Sequence, residues 1–478
     1  LAKQFELLFP GSICSINDMV ENEGIPIYSS LMGSYKYLSA HPTQWRIFFR
    51  VTDSRAFERI ADVLLKWLCR RLCHKTIQRV DPDVVVSVHP VMTNVPISCC
   101  AQISRETGRH LPIFTVVTEL GSAHSLWFCD GVEKLFVGSP QVYRIAQNRG
   151  KVSEDRMVLA GLPIRHDFVV QGELLGDRSS PEGKAYQRKV REELGLPHPE
   201  RNFLLVMGGG EGVGSLSKIV DSLYTRLIAA GIDAVIVVVC GRNETLRKSL
   251  KQRDWDTLLQ TQHSLSESNN STSSFSNGAA TTPKQHGKVH VVTLGFVTQM
   301  AEYMVAADVL VSKAGPGTMT EAASLSLPIL LTNYLPGQEE GNIDYVIQGG
   351  FGNYHSDEDP TGIADELVGW LRDEEKMKAF RRAARQRGTL HAARDIAKTI
   401  GDSASRWREI NRANDKAKQL VATTTTTNQS LASSFRIMPL FLDSWWITIA
   451  LAMVVAFVCL FGCVRVDGMS TMIPLSPI

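Results

Sequence analysis

Short apolar runs alternate with stretches of helical spacing through the first third of the chain and again from residue 203 onward. In the first stretch, 84–88, 113–117 and 135–137 are short, mainly apolar runs of strand length, the pattern of a parallel sheet buried on both faces. Between them, Phe57, Ile60, Ala61, Leu64 and Leu68 recur at helical intervals, which predicts an amphipathic helix starting near Asp53 or Ser54. The second stretch predicts strands at 203–207, 234–240, 289–292, 309–311 and 329–331, separated by helices such as 216–230. The expected architecture is α/β in two domains, 1–171 and 201–410. Residues 172–200, rich in charge, Gly and Pro and ending in Leu196-Pro197-His198-Pro199, read as the connector. A Ser/Asn/Thr-rich stretch at 261–285 cannot bury a core and reads as a flexible insertion. A polar linker is expected at 411–442. Beyond it, 445–464 is a run of twenty residues without a charge, bounded by Asp443 and Arg465, and predicts a transmembrane helix over 443–465.

Composition narrows the classes. The 478 residues suffice for more than one core. A balance of 51 basic against 49 acidic residues argues against a nucleic-acid binder working through phosphate neutralisation. The nine cysteines form no Cys-x-x-Cys pair and read as reduced, mostly buried thiols; Cys69 and Cys73, one helical turn apart, read as small hydrophobes rather than metal ligands. The chain starts at Leu1 within a helical pattern, so a natural N-terminus upstream of it is expected.

The densest chemical signal is at 309–342. An apolar strand runs into Ser312-Lys313-Ala314-Gly315-Pro316-Gly317-Thr318-Met319-Thr320-Glu321, and after the next strand comes Gly337-Gln338-Glu339-Glu340-Gly341-Asn342. Gly315 and Gly317 let the backbone approach a ligand. The following helix is expected to begin at Thr318, with Glu321 completing a capping box, and its free N–H groups and dipole favour a diphosphate. The second motif falls at the same carboxyl edge of the sheet, and its amides and carboxylates suit sugar hydroxyls. Together they read as a nucleotide-sugar site, although Gln338 and Glu339 also fit a solvated turn.

Three further features are weaker. Gly208, Gly209 and Gly210, between a strand and a helix, suit close approach to a ligand or a facing domain, and equally a flexible turn. Their spacing is not G-x-G-x-x-G, and the next strand ends in Cys240-Gly241-Arg242-Asn243 rather than in an acid, which counts against a dinucleotide cofactor. His89, at the carboxyl end of a strand, suits proton relay or substrate binding and equally a structural role, as does His124. Trp127, in a polar loop, reads as an exposed aromatic facing a membrane, or as core.

These segments, with Gly161-Leu162-Pro163-Ile164-Arg165 and Ser87-Val88-His89-Pro90, resemble the monogalactosyldiacylglycerol synthases of plastid envelopes, in the family's order and from the first residues to about 400. The wider likeness is to the lipid-linked peptidoglycan N-acetylglucosaminyl transferases. The resemblance implies an inverting glycosyltransferase of GT-B type, two Rossmann-like domains facing a cleft, moving galactose from UDP-galactose to diacylglycerol at a plastid envelope membrane. It implies that Gly315, Pro316, Gly317, Thr318 and Met319 hold the diphosphate, Glu321 the ribose, and Phe296 the uracil. Arg165 would reach the donor from the domain junction, and Gly208 to Gly210 would line it. Gly337, Gln338, Glu339, Glu340, Gly341 and Asn342 would hold the sugar, Glu339 closest to the galactose hydroxyls and catalytic with His89. Pro26 and Trp127 match positions used for an anionic phospholipid activator. No metal and no cofactor are expected, because the helix start can stabilise departing UDP. The family's general base sits on a His-bearing glycine loop, expected upstream of Leu1. Two departures are Thr118-Glu119, where the family has Thr-Asp, and the C-terminal span. The alternatives are a transferase of the same build using another UDP-sugar or lipid, a non-catalytic nucleotide- or lipid-binding protein and, more distantly, a dehydrogenase.

Overall fold

The computed structural model describes residues 1–17, 37–38, 41–208, 215–261 and 286–425. Two all-parallel sheets organise it. The first has strand order β1 (Val85–Ser87), β2 (Ile113–Val116), β3 (Lys134–Val137), β4 (Met157–Leu159). The second comprises β5 (Asn202–Met207), β6 (Ala234–Val239), β7 (Val289–Leu294), β8 (Val309–Lys313), β9 (Ile329–Asn333) and β10 (Gly352–Tyr354), ordered β10-β9-β8-β5-β6-β7. The apolar runs become strands because both sheet faces are covered: every residue of β2 and β6 is buried. β4 and β10, three residues each, were too short to stand out as apolar runs.

In the second sheet the chain passes from β5 outward to β6 and β7, then returns to place β8 on β5's other side. That reversal is a topological switch point, where helices on opposite faces leave a crevice at the carboxyl ends of the strands.

Three expectations change. The segment 172–200 is no loose connector. It lies in helices His166–Leu175 and Pro181–Glu193, and Leu175, Val190 and Leu196 join the second domain's core. The fully buried Arg178 makes the reason plain: its guanidinium donates to the carbonyls of Met304, Val305, Ala307 and Leu325, closing the carbonyl end of the Met300–Ala306 helix. Burial lowers its pKa to about 9. The second change is at the Arg55–Val80 helix, which starts at the expected cap, Ser54. It turns Ala61, Cys69, Cys73 and Ile77 inward and leaves Ile60, Val63 and Trp67 exposed. Third, the Ala392–Thr425 helix runs through the expected boundary at 410, and its Ile396 and Ile400 pack on Phe114, Val116 and Phe136 of the first domain. The described cysteines are free and, apart from Cys14, buried.

Among the described residues no helix is long and apolar enough to cross a membrane. The span expected at 443–465 lies outside them, as do Pro26, Gly209, Gly210 and nearly all of the 261–285 insertion.

Candidate active site

The site forms where β8 ends beside β5. Ala314 is buried, Gly315 is the N-cap, and the helix runs Pro316–Ser324, two residues earlier than Thr318. Proline at the first helical position lacks the N–H that would go unpaired there and has φ pre-set for the helix. The next donors, Gly317 and Thr318, have no intrahelical partner by geometry, and a Cβ at Gly317 would meet no atom of the described residues within 4 Å. An anion therefore has open access to this helix start. The expected capping box is absent, because Glu321 turns away. It accepts both nitrogens of Arg165, Nε at 2.7 Å and Nη2 at 2.9 Å. This fork ties the start of the His166–Leu175 helix, at the domain junction, to the Pro316–Ser324 helix, and raises the Arg165 pKa through its hydrogen bond to the carboxylate.

The sugar motif closes over β8. Gly337 takes a left-handed φ of 84°, and a Cβ there would come within 3.1 Å of the Phe49 ring, so glycine is needed twice over. Glu339 is 5% exposed. One carboxylate oxygen accepts Lys313 Nζ at 2.8 Å and the other the Leu335 N–H at 2.9 Å. Lys313 thus links the end of β8 to the 337–342 loop, a contact the sequence reading did not assign. Glu340 accepts the Gly337 N–H. Asn342, also expected at the sugar, is buried instead. Its Nδ2 donates to the Ala314 carbonyl and its Oδ1 accepts the Gly121 N–H, both at 2.8 Å. Ser122 Oγ donates to the Gln338 carbonyl. The loop after β2 therefore packs on the 337–342 loop from the facing domain, a contact with no local signal in the sequence.

Phe296, just past β7, is 64% exposed, with Arg242 stacked 5.8 Å from its ring centre. Gly208, just past β5 at the same edge, is buried. His89 is exposed just after β1, where its carbonyl accepts from Ser87 and Thr93. Trp127 is only 1% exposed, which corrects the membrane-facing reading: the 119–128 loop folds over the first core, and Trp127 packs there with Phe128 and Val95.

His124 and Glu119 explain that loop. His124 Nδ1 accepts the Leu126 N–H, so the ring's proton is on Nε2 and is directed to Thr52 Oγ1, 3.2 Å away. Burial lowers its pKa, and the neutral ring braces the loop against the Pro42–Thr52 helix. Glu119 accepts the His124 N–H at 3.1 Å, and burial pushes its carboxyl up to about 7.

Two parallel-sheet domains, one carrying a glycine-flanked helix start at its switch point and the other packed on its 337–342 loop, form a GT-B-like α/β fold, the build of a glycosyltransferase whose C-terminal domain matches family 28. Residues 11–164 match the family model for monogalactosyldiacylglycerol (MGDG) synthase, and 203–400 that for the glycosyltransferase family 28 C-terminal domain. The chain is 30% identical to the probable monogalactosyldiacylglycerol synthase 2, chloroplastic, of Oryza sativa subsp. indica, over 84% of this chain and 73% of that protein. It is 29% identical to monogalactosyldiacylglycerol synthase 1, chloroplastic, of Arabidopsis thaliana, over 72% of this chain and 56% of that protein. Among solved structures, Acinetobacter baumannii MurG superposes with a TM-score of 0.44 at 14% identity, covering 70% of this chain and 77% of that one. The chain belongs to the monogalactosyldiacylglycerol synthase family.

Proposed function

We propose that this chain transfers galactose from UDP-galactose to the free hydroxyl of 1,2-diacylglycerol with inversion, forming monogalactosyldiacylglycerol at a plastid envelope membrane. One observation carries the reading: the Lys313–Glu339 pair joins an anion-ready helix start to a polar loop shaped by Gly337. The diphosphate sits against the Gly317 and Thr318 N–H groups, Glu321 serves the ribose, and the exposed Phe296 ring stacks uracil with Arg242 behind it. Gln338 faces the hexose hydroxyls, and Glu339, buried at the loop's base, accepts from them with the lone pairs its bonds to Lys313 and the Leu335 N–H leave free.

In a single displacement the acceptor oxygen bonds to the sugar's anomeric carbon as the bond to the β-phosphate oxygen breaks. Negative charge moves onto UDP, where the helix N-terminus is already oriented to stabilise it. The acceptor's proton goes to a base on the acceptor side of the cleft, where His89 stands exposed at the end of β1. The lipid arrives from a bilayer, toward which the Arg55–Val80 helix turns its exposed Ile60, Val63 and Trp67, with Arg59, Arg70 and Arg71 alongside for the headgroups of an anionic phospholipid activator.

Steady-state transfer in diacylglycerol vesicles should favour UDP-galactose over UDP-glucose and UDP-N-acetylglucosamine; preferential turnover of either competitor removes the galactose assignment. Glu339→Ala should lower kcat/KM about 100-fold, roughly 2.7 kcal/mol of transition-state stabilisation. Full activity in that variant would refute the placement of the sugar.

A further inference from the structure

We infer that Asn342 is a positioning residue that holds the two domains closed over the diphosphate loop, and is not a ligand of the sugar. The inference rests on the transferase reading and concerns how its cleft is held shut. Asn342 begins the buried face of the Glu340–Gly349 helix and is 2% exposed, so its side chain has no open path to a hexose. The orientation of its carboxamide is unique: the Ala314 carbonyl can only accept and the Gly121 N–H can only donate, so Nδ2 must face the first and Oδ1 the second. Ala314 immediately precedes Gly315, the cap of the diphosphate-binding helix, whereas Gly121 belongs to the facing domain.

The glycines around it point the same way. A Cβ on Gly121 would run into the backbone of Gly341 and Asn342, and one on Gly341 into the backbone of Gly121. The two main chains meet directly, without side chains between them, and Ser122 Oγ adds a bond to the Gln338 carbonyl. Only a closed cleft can present the Gly121 N–H to Asn342. When the domains part, Oδ1 loses its partner while Nδ2 keeps Ala314, so one amide senses closure and touches the loop that must grip UDP. Asparagine alone fits both demands: glutamine is one methylene too long, and aspartate offers no donor to the Ala314 carbonyl unless it is protonated.

Hydrogen exchange and kinetics on the full chain in lipid nanodiscs, with UDP and UDP-galactose as probes, test this. Asn342→Ala should speed amide exchange in 119–124 at least tenfold, leave the UDP-dependent protection of 316–324 intact, and cut kcat at least tenfold while KM for UDP-galactose moves less than threefold. Gly121→Ala, which leaves Asn342 in place, should do the same, and the double variant should be no worse than the more impaired single. Asn342→Asp should recover toward wild type as pH falls and its carboxyl gains a proton to donate. Unchanged exchange in 119–124, or an Asn342→Ala variant that binds UDP-galactose worse while binding UDP normally, overturns the inference. The exchange arm needs no turnover, so a failure of the galactosyltransferase reading, seen as an inactive wild type, stays distinguishable.

Discussion

Glu119 shows how one side chain departs from its composition-level reading. In sequence it is a carboxylate in a polar loop; in the fold it lies under His124 and Trp127, where water is excluded and the charged form is disfavoured. With its carboxyl raised from 4.5 to about 7, the folded chain holds a proton that the unfolded chain has already lost. Folding then takes up that proton, so stability is highest below the unfolded value, falls as pH rises through the window from about 4.5 to about 7, and levels off above it. At one pKa unit per 1.36 kcal/mol the penalty at alkaline pH is about 3 kcal/mol. Glu119→Gln should therefore be more stable than wild type at pH 8 by up to that amount, with the difference vanishing toward pH 4.5. Urea denaturation across the range measures it, and a pH-independent difference would count against a proton held at Glu119.

For helices, the same apolar residues can face the core or solvent, and spacing alone does not say which. Ile60 fits the inward stripe by period, yet the Arg55–Val80 helix buries the row through Ala61, Cys69, Cys73 and Ile77 because those residues meet the Asn94–Thr107 helix and β2. Its outer row, Ile60, Val63 and Trp67 at i, i+3 and i+7, is exposed among the described residues, Trp67 to 59%. The helix carries seven Lys and Arg against two acids, which suits an anionic lipid surface. It also starts beside the cleft: Asp53, just before its cap, accepts the Ser125 N–H and Arg149. A Val63→Asp/Trp67→Asp variant should raise KM for diacylglycerol at least tenfold in vesicles containing phosphatidylglycerol, with UDP affinity unchanged. An unaltered KM would place the membrane contact elsewhere.

At the scale of the molecule, the long C-terminal helix makes the two domains one folding unit. After leaving the second domain it returns to the first, where Ile396 and Ile400 complete a core with Phe114, Val116 and Phe136. Further along, Asn411 exchanges two hydrogen bonds with the His110 backbone, Trp407 donates to Glu133, and Arg408 pairs with Asp83. Ile396→Ala should cost about 2–5 kcal/mol through lost burial and a residual cavity. Because the site is an inter-domain one, thermal unfolding of that variant should separate into two transitions, the first carrying away UDP-galactose turnover. A single transition with turnover retained up to it would mean that other contacts hold the domains together.

The strands, the glycine-flanked helix start and the family resemblance were legible in the sequence because each rests on local order: apolar runs of strand length, glycines beside a helix start, and motifs in a recognisable succession. The helical character of 172–200 was written there too, but charge and proline masked an amphipathic pattern whose arginines are buried against carbonyls. What only the tertiary structure decided is which polar groups meet. Arg165 finds Glu321, Lys313 finds Glu339 and Asn342 finds Gly121 across separations of 156, 26 and 221 residues. Such pairings leave no periodic trace, because a hydrogen bond depends on position in space to a fraction of an ångström, whereas hydrophobic patterning requires only that a side chain fall on the correct face.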